Sequence, residues 1–141
     1  MSSYPNKHRE PTAMEKIVAI LSYIFPLIGF IFIVIAALAK KDMRPFLKYH
    51  IFQSIFIAFA LWIILSGLGF AMHLLSYIPI INTVISMFTF FINTQLFLGF
   101  SVVTLLYFLF LLYLIIGVLK GSDSYVPWVS DIIKANLRGQ I

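Results

Sequence analysis

The sequence predicts an all-α, polytopic membrane protein with four transmembrane helices and a short C-terminal amphipathic helix, and three observations predict it. Of the 141 residues, 62% are hydrophobic and 11% are charged, with mean hydropathy +1.02; a soluble domain of this size carries about a quarter charged residues. Residues 49–119 contain no Asp, Glu, Lys or Arg. A soluble fold cannot hide so long a neutral stretch, because its helices and strands must show water a polar face. The 15 Phe and 7 Tyr suit a lipid-facing surface with aromatic rings near the headgroups.

The length allows one domain: a polar tail at 1–12, a membrane domain at 13–120, and a C-terminal tail at 121–141. Spans are expected at about 16–39, 47–72, 76–93 and 96–119. The polar first fifteen residues (MSSYPNKHREPTAME) do not read as a secretory signal. Thr12-Ala-Met-Glu15 has capping-box spacing, so a first helix is expected from Ala13 to Ala39. Its apolar part, from Ile17, covers roughly 35 Å, enough for a hydrocarbon core of about 30 Å. Pro26 and Gly29 in its middle predict a kink; the sharper alternative is a re-entrant hairpin.

Lys40-Lys41-Asp42-Met43-Arg44-Pro45 ends this span and Pro45 starts the next, to about Met72. Ser54, Ala58, Gly67, Gly69 and Ala71 would let another helix approach it closely. Pro79 starts a third helix, and Asn93-Thr94-Gln95 is a polar break before a fourth, Leu96 to Leu119. In the third, Asn82, Ser86, Thr89 and Asn93 recur at helical spacing. Such a stripe faces neighbouring helices or marks a helix lying in the interface; lacking Lys and Arg, this one is expected to span. After Gly121-Ser-Asp-Ser, Pro127 opens an amphipathic helix to about Arg138. Val129, Ile132, Ile133 and Leu137 form its apolar side, and Asp131, Lys134 and Arg138 its polar side, with Trp128 as an interfacial anchor. The tail is expected on the membrane surface.

With four spans, Lys7, Arg9, Lys16, Lys120, Lys134 and Arg138 share one side, and Lys40, Lys41, Arg44 and Lys48 lie opposite. Cytoplasmic termini are then favoured slightly, whereas a re-entrant first segment would gather every basic residue on one side. The net charge of +5 flanks apolar segments, a pattern of membrane insertion and contact with anionic lipid rather than of nucleic-acid binding.

Chemistry has few places to hide. Glu10, Glu15, Asp42, Asp123 and Asp131 all lie outside the expected spans, which argues against proton coupling through a buried acid. There is no Cys; His8, His50 and His73 are scattered; and no H-E-x-x-H, phosphate-cradling Gly-rich loop or nucleophile elbow occurs. No catalytic residue, metal site or cofactor is therefore expected. The densest polar group is Lys48-Tyr49-His50 with Gln53 and Ser54, where His50 and Gln53 share a helix face. It fixes helix depth at the headgroups, or it meets another helix, a partner or a translocating segment. Arg44, Lys48, Tyr49, His50, Gln53, Asn82, Ser86, Thr89, Asn93 and Trp128 are the candidate partner or lipid contacts.

Phe46-Leu-Lys48-Tyr49-His50-Ile-Phe-Gln53 resembles the signature of the family of the twenty-kilodalton subunit of the translocon at the inner chloroplast envelope, which includes small bacterial membrane proteins of unknown function. Ala19-Ile-Leu-Ser-Tyr23-Ile-Phe-Pro26-Leu-Ile-Gly29 resembles the family's opening, and Lys120-Gly121, Pro127 and Ser130-Asp131 its ending. The resemblance implies four spans with both termini on the inner side and, in plastids, a part in protein translocation. The expectation is a non-enzymatic subunit or scaffold of a membrane complex, in contact with lipids and with other membrane proteins or its own copies. The bacterial inner membrane is the expected location and the plastid inner envelope the alternative. The rivals are a homo-oligomeric channel or small-solute transporter lined by the Asn82–Asn93 stripe, and a membrane enzyme using His50 as base.

Overall fold

A computed structural model describes residues 10–137; the expected tail before Glu10 and Arg138 of the amphipathic helix lie outside the described residues, as does the side chain of Leu137. The fold is mostly helical, and the chain divides into two compact units, Met1–Phe56 with Leu114–Ile141, and Ile57–Tyr113.

In the first unit, α1 (Ala13–Ile24) opens on a complete capping box: Thr12 accepts from the Glu15 amide, and Glu15 accepts from the Thr12 amide at 2.8 Å. The expected helix to Ala39 is broken at Phe25. Pro26 has no amide hydrogen and pushes the residue before it out of helical geometry, and Phe25 is extended at φ −131°, ψ 89°. The Phe25 amide still closes α1 on Leu21 O at 2.8 Å, and Pro26 then serves as the first residue of α2 (Pro26–Leu38). The break is a hairpin rather than the expected kink. Gly29 lies so close to α1 that a Cβ there would meet Ser22 Oγ at 2.7 Å and Ile51 Cγ2 at 2.9 Å. The two helices, of 12 and 13 residues, are about 18 and 20 Å long, and neither crosses a core of about 30 Å.

A Schellman turn ends α2. Lys41 N donates to Ala36 O and Lys40 N to Ala37 O, with Lys40 in the left-handed region at φ 50°. The chain then enters α3 (Pro45–Leu75). Arg44 Nη1 donates to Glu15 Oε2 at 2.8 Å, and Lys16 Nζ donates to Leu119 O at 2.8 Å. The start of α1, the α2–α3 loop and the end of α5 (Val102–Lys120) therefore meet at one end. In the expected four-span order Lys40–Lys48 lay across the bilayer from Lys16 and Lys120; here Arg44 meets Glu15 at the end that holds Lys16 and Leu119. Gly121, at φ 71°, caps α5 with a second Schellman pair, Ser122 N to Gly117 O and Gly121 N to Val118 O.

The second unit holds α4 (Pro79–Asn93), which starts and ends near its expected limits. The expected fourth helix from Leu96 is corrected at its start, since residues 95–101 form a two-stranded hairpin, β1 (Gln95–Phe97) against β2 (Phe100–Ser101). Leu98 and Gly99 have φ 49° and 81°, the paired left-handed geometry of a tight two-residue hairpin turn; α5 begins only at Val102.

Two helices, α3 and α5, are long and apolar enough to cross a membrane, with 0% and 11% of their most apolar windows buried. The core helix of a soluble fold can be as long and apolar, but it is mostly covered by protein, and these two are not. At the C-terminus, α6 (Val129–Leu137) follows Trp128, which stands at φ 65°. Only part of its expected apolar side faces lipid or water. Ile133 is buried against Tyr49, with Phe52 and Val129 around them, while Ile132 is exposed.

A buried polar cluster as the candidate functional site

The first turns of α3 carry Tyr49, His50, Gln53 and Ser54, all buried, in the first unit. Helical spacing sends Tyr49 and Gln53 to one side and keeps His50 beside Gln53. From α1, Tyr23 reaches in: its hydroxyl is 2.8 Å from His50 Nδ1 and 2.5 Å from Gln53 Oε1. From the C-terminal segment, Ser124 O accepts from Gln53 Nε2 at 2.7 Å and lies 3.1 Å from the Tyr49 hydroxyl. Ser130 Oγ lies 2.8 Å from the Tyr49 hydroxyl, accepts from Gln53 Nε2 at 3.2 Å and accepts from the Val126 amide at 2.8 Å. Three parts of the chain, distant in sequence, are tied by one glutamine.

The hydrogens can be assigned by counting donors and acceptors. A backbone carbonyl only accepts, so the contact with Ser124 O fixes Gln53 Nε2 toward the tail and Oε1 toward Tyr23. Tyr23 has one hydroxyl hydrogen, and it goes to Oε1. Its oxygen is then left to accept from His50 Nδ1, 2.8 Å away. The Tyr49 hydroxyl hydrogen points between Ser124 O and Ser130 Oγ, both of which accept from it. One polar atom stays unmatched: His50 Nε2 is buried with no hydrogen-bond partner among the described residues. Phe46, Tyr49 and Tyr23 wall the imidazole edge-on at 4.5, 5.3 and 5.8 Å between centroids.

Close packing completes the cluster. Ser22, fully buried, donates to Val18 O at 2.7 Å and fills the space over Gly29. A Cβ on Gly117 would run into Ser124 Oγ, which donates to Leu114 O at 3.2 Å. These two glycines let the polar side chains of the first unit approach neighbouring backbone.

The other candidates stand elsewhere. Arg44 pairs with Glu15 at 2.8 Å. Lys48 is half-buried on the first turn of α3, its amide donating to Arg44 O. Asn82, Ser86, Thr89 and Asn93 line α4 in the second unit; Ser86, Thr89 and the rest of the stripe have little or no cover from protein. Their polar groups bond along their own helix, Asn93 Nδ2 to Thr89 O at 2.9 Å and Ser86 Oγ to Asn82 Oδ1 at 3.5 Å. Trp128 is 83% exposed. Tyr125 donates to Asp131 Oδ2 at 3.0 Å, and that bond holds its phenol above the ordinary range.

Sequence reasoning missed Tyr23, Ser124 and Ser130 as members of the cluster. Tyr23 and Ser130 lay within recognisable segments, but as isolated polar residues they carried no sign of their partners. Ser124 stood in a Gly-Ser-Asp-Ser turn and acts chiefly through its carbonyl, which every residue has.

Comparisons with protein-family models, with curated proteins and with solved structures return no match.

Proposed function

We propose that this chain is a non-enzymatic integral membrane protein that works as a subunit or small scaffold of a membrane complex. In this reading α3 and α5 cross the bilayer, and the α1–α2 hairpin dips into it from the charged side without crossing. Every Lys and Arg then belongs to one side of the membrane, since residues 49–119 carry none and the three basic flanks meet through Arg44–Glu15 and Lys16–Leu119. The positive-inside rule makes that side cytoplasmic in a bacterial inner membrane.

The observation that carries the scaffold reading is that the polar cluster is occupied by its own members. Tyr49, Gln53, Ser124 and Ser130 bond to one another, and His50 and Gln53 are 0% exposed. A general base must reach the proton it abstracts, and His50 faces protein on every side. The segments that resemble the translocon-subunit family, around Tyr23, Tyr49–Gln53 and Ser130, are the ones that converge here. Their residue types are accounted for by holding α1, α3 and the tail together, and a part in protein translocation would have to come through partners. For those partners the second unit offers the uncharged polar stripe of α4, together with Gly67 and Gly69 on α3, where a Cβ would meet nothing within 4 Å.

The test is gentle detergent purification of the tagged protein from its own membranes, followed by mass analysis of what stays bound. Stoichiometric partners that disappear when Asn82, Ser86 and Thr89 are all changed to Leu support the reading. A clean homo-oligomer that conducts after reconstitution, and stops conducting with the same triple change, replaces it with a channel lined by that stripe.

A further inference from the structure

The C-terminal segment has two faces, and the cluster uses one. Ser130, Ile133 and Val129 turn toward the first turns of α3, through the 2.8 Å contact of Ser130 with Tyr49 and the packing of Ile133 on the Tyr49 ring. Those turns are where α3 starts its apolar run, so the segment is pinned at the depth where a spanning helix meets the headgroups. Trp128, Tyr125 and Ile132 remain exposed on it. Trp128 stands in a left-handed backbone conformation that bulky residues rarely adopt, which projects the indole outward.

Two exposed cations belong to the same end of the unit. Lys134 is exposed, with Nζ 5.8 Å from the Tyr49 ring centroid. Lys120, also exposed, ends α5 at the same end of the unit, where Lys16 meets Leu119. Among the described residues the one ion pair is Arg44–Glu15, so neither Lys120 nor Lys134 is matched by a carboxylate. The full net charge of +5 belongs to the first unit by sequence, because residues 57–113 have no charged side chain. An aromatic anchor at headgroup depth, with unmatched lysines on the cationic end, is complementary to anionic phospholipid and not to a zwitterionic one.

We infer that the C-terminal segment is an anionic-phospholipid binding surface, with Trp128 and Ile132 seated among the upper acyl chains and Lys120 and Lys134 on the headgroup phosphates. The inference rests on the membrane reading above. It adds that the tail recruits a particular headgroup class to the foot of α3 and α5 while its inner face stays bound to Tyr49 and Gln53.

The two tryptophans of the chain separate these claims. Trp128→Phe leaves Trp62, in mid-α3, as a reporter of embedding; Trp62→Phe leaves Trp128 as a reporter of the tail. Each full-length variant is reconstituted in bilayers of equal phosphatidylglycerol and phosphatidylcholine, with bromine on the acyl chains of one lipid or the other. Surface charge is thus the same in both preparations, and quenching reads which lipid is the neighbour. Trp62 is expected to be quenched equally by both. Trp128 is expected to be quenched more by brominated phosphatidylglycerol, reflecting local enrichment of about fivefold for each lysine at the surface. Lys120→Gln with Lys134→Gln should equalise the two lipids at Trp128. So should molar salt on the Trp62→Phe protein, which cuts the screening length to about 3 Å. Equal quenching of Trp128 by both lipids without these changes overturns the inference, as does an excess that survives the lysine substitutions. Failure of either lipid to quench Trp62 would sink the membrane reading itself.

Discussion

The two units solve the problem of an apolar chain in opposite ways. The first contains all the charged side chains, the Arg44–Glu15 pair and the buried Tyr23–His50–Gln53–Ser130 network. The second has no charge and no fully buried residue, and the side-chain hydrogen bonds along α4 and at its end close within four residues, such as Thr94 Oγ1 to Phe90 O. In the first unit, geometry is set by directional contacts that tolerate little change. In the second, regular helices leave Phe, Ile and Leu exposed. A polar group buried at low dielectric costs far more unpaired than paired, so the network specifies one arrangement. Dispersion contacts specify much less.

The sharpest way to break this contrast is to load glycines on both sides of it. Gly29→Val drives a side chain into Ser22 and Ile51, and overpacking of this kind costs about 1–3 kcal/mol or more. A large drop in thermal stability in detergent is expected, whereas Gly67→Ala and Gly69→Ala, in open space, should leave stability within about 1 kcal/mol of the original. Equal effects in the two units would erase the distinction.

The next largest effect is expected at the hub. Gln53→Leu keeps the volume but strips hydrogen bonds from Tyr23, Ser124 and Ser130, each lost partner costing about 1–3 kcal/mol. Protease should then clip the C-terminal segment well before the helices melt. A tail as resistant as before would mean that apolar packing of Ile133 alone holds it.

A smaller change of opposite sign is expected at the α2 terminus. Lys40 occupies the left-handed position of the Schellman turn, where glycine meets no steric penalty. Lys40→Gly should raise stability by up to about 1 kcal/mol, measured as a higher midpoint on heating. The smallest effect on the fold belongs to α4. Changing Asn82, Ser86 and Thr89 to Leu removes only groups that bond within their own helix, so the isolated chain should melt within about 0.5 kcal/mol of the original. The loss should appear instead in what co-purifies.

Much of this was legible from local signals. Composition and the charge-free stretch announce an apolar, helical chain, and Thr12 with Glu15, Pro45, Pro79 and Gly121 mark helix limits because caps and prolines act within one turn of where they stand. The density of polar residues at Tyr49–Gln53 coincides with the buried cluster on α3. The turn at Leu98–Gly99 was not legible: a leucine at positive φ has no sequence signature, and an apolar run reads as helix until something reverses it.

By itself the sequence determined that this protein is apolar, mostly helical and basic at its flanks, since those properties are sums over residues or effects within a turn. Tertiary structure alone decided that Pro26 makes a hairpin rather than a kink, that the three basic flanks share one end, and that the tail's inner face belongs to Tyr49 and Gln53. Each depends on which groups come within about 3 Å across a long stretch of chain. A proline permits many angles, and it is the room over Gly29 for Ser22, together with the bonds Gln53 can satisfy only with Tyr23 and Ser124 in place, that selects one.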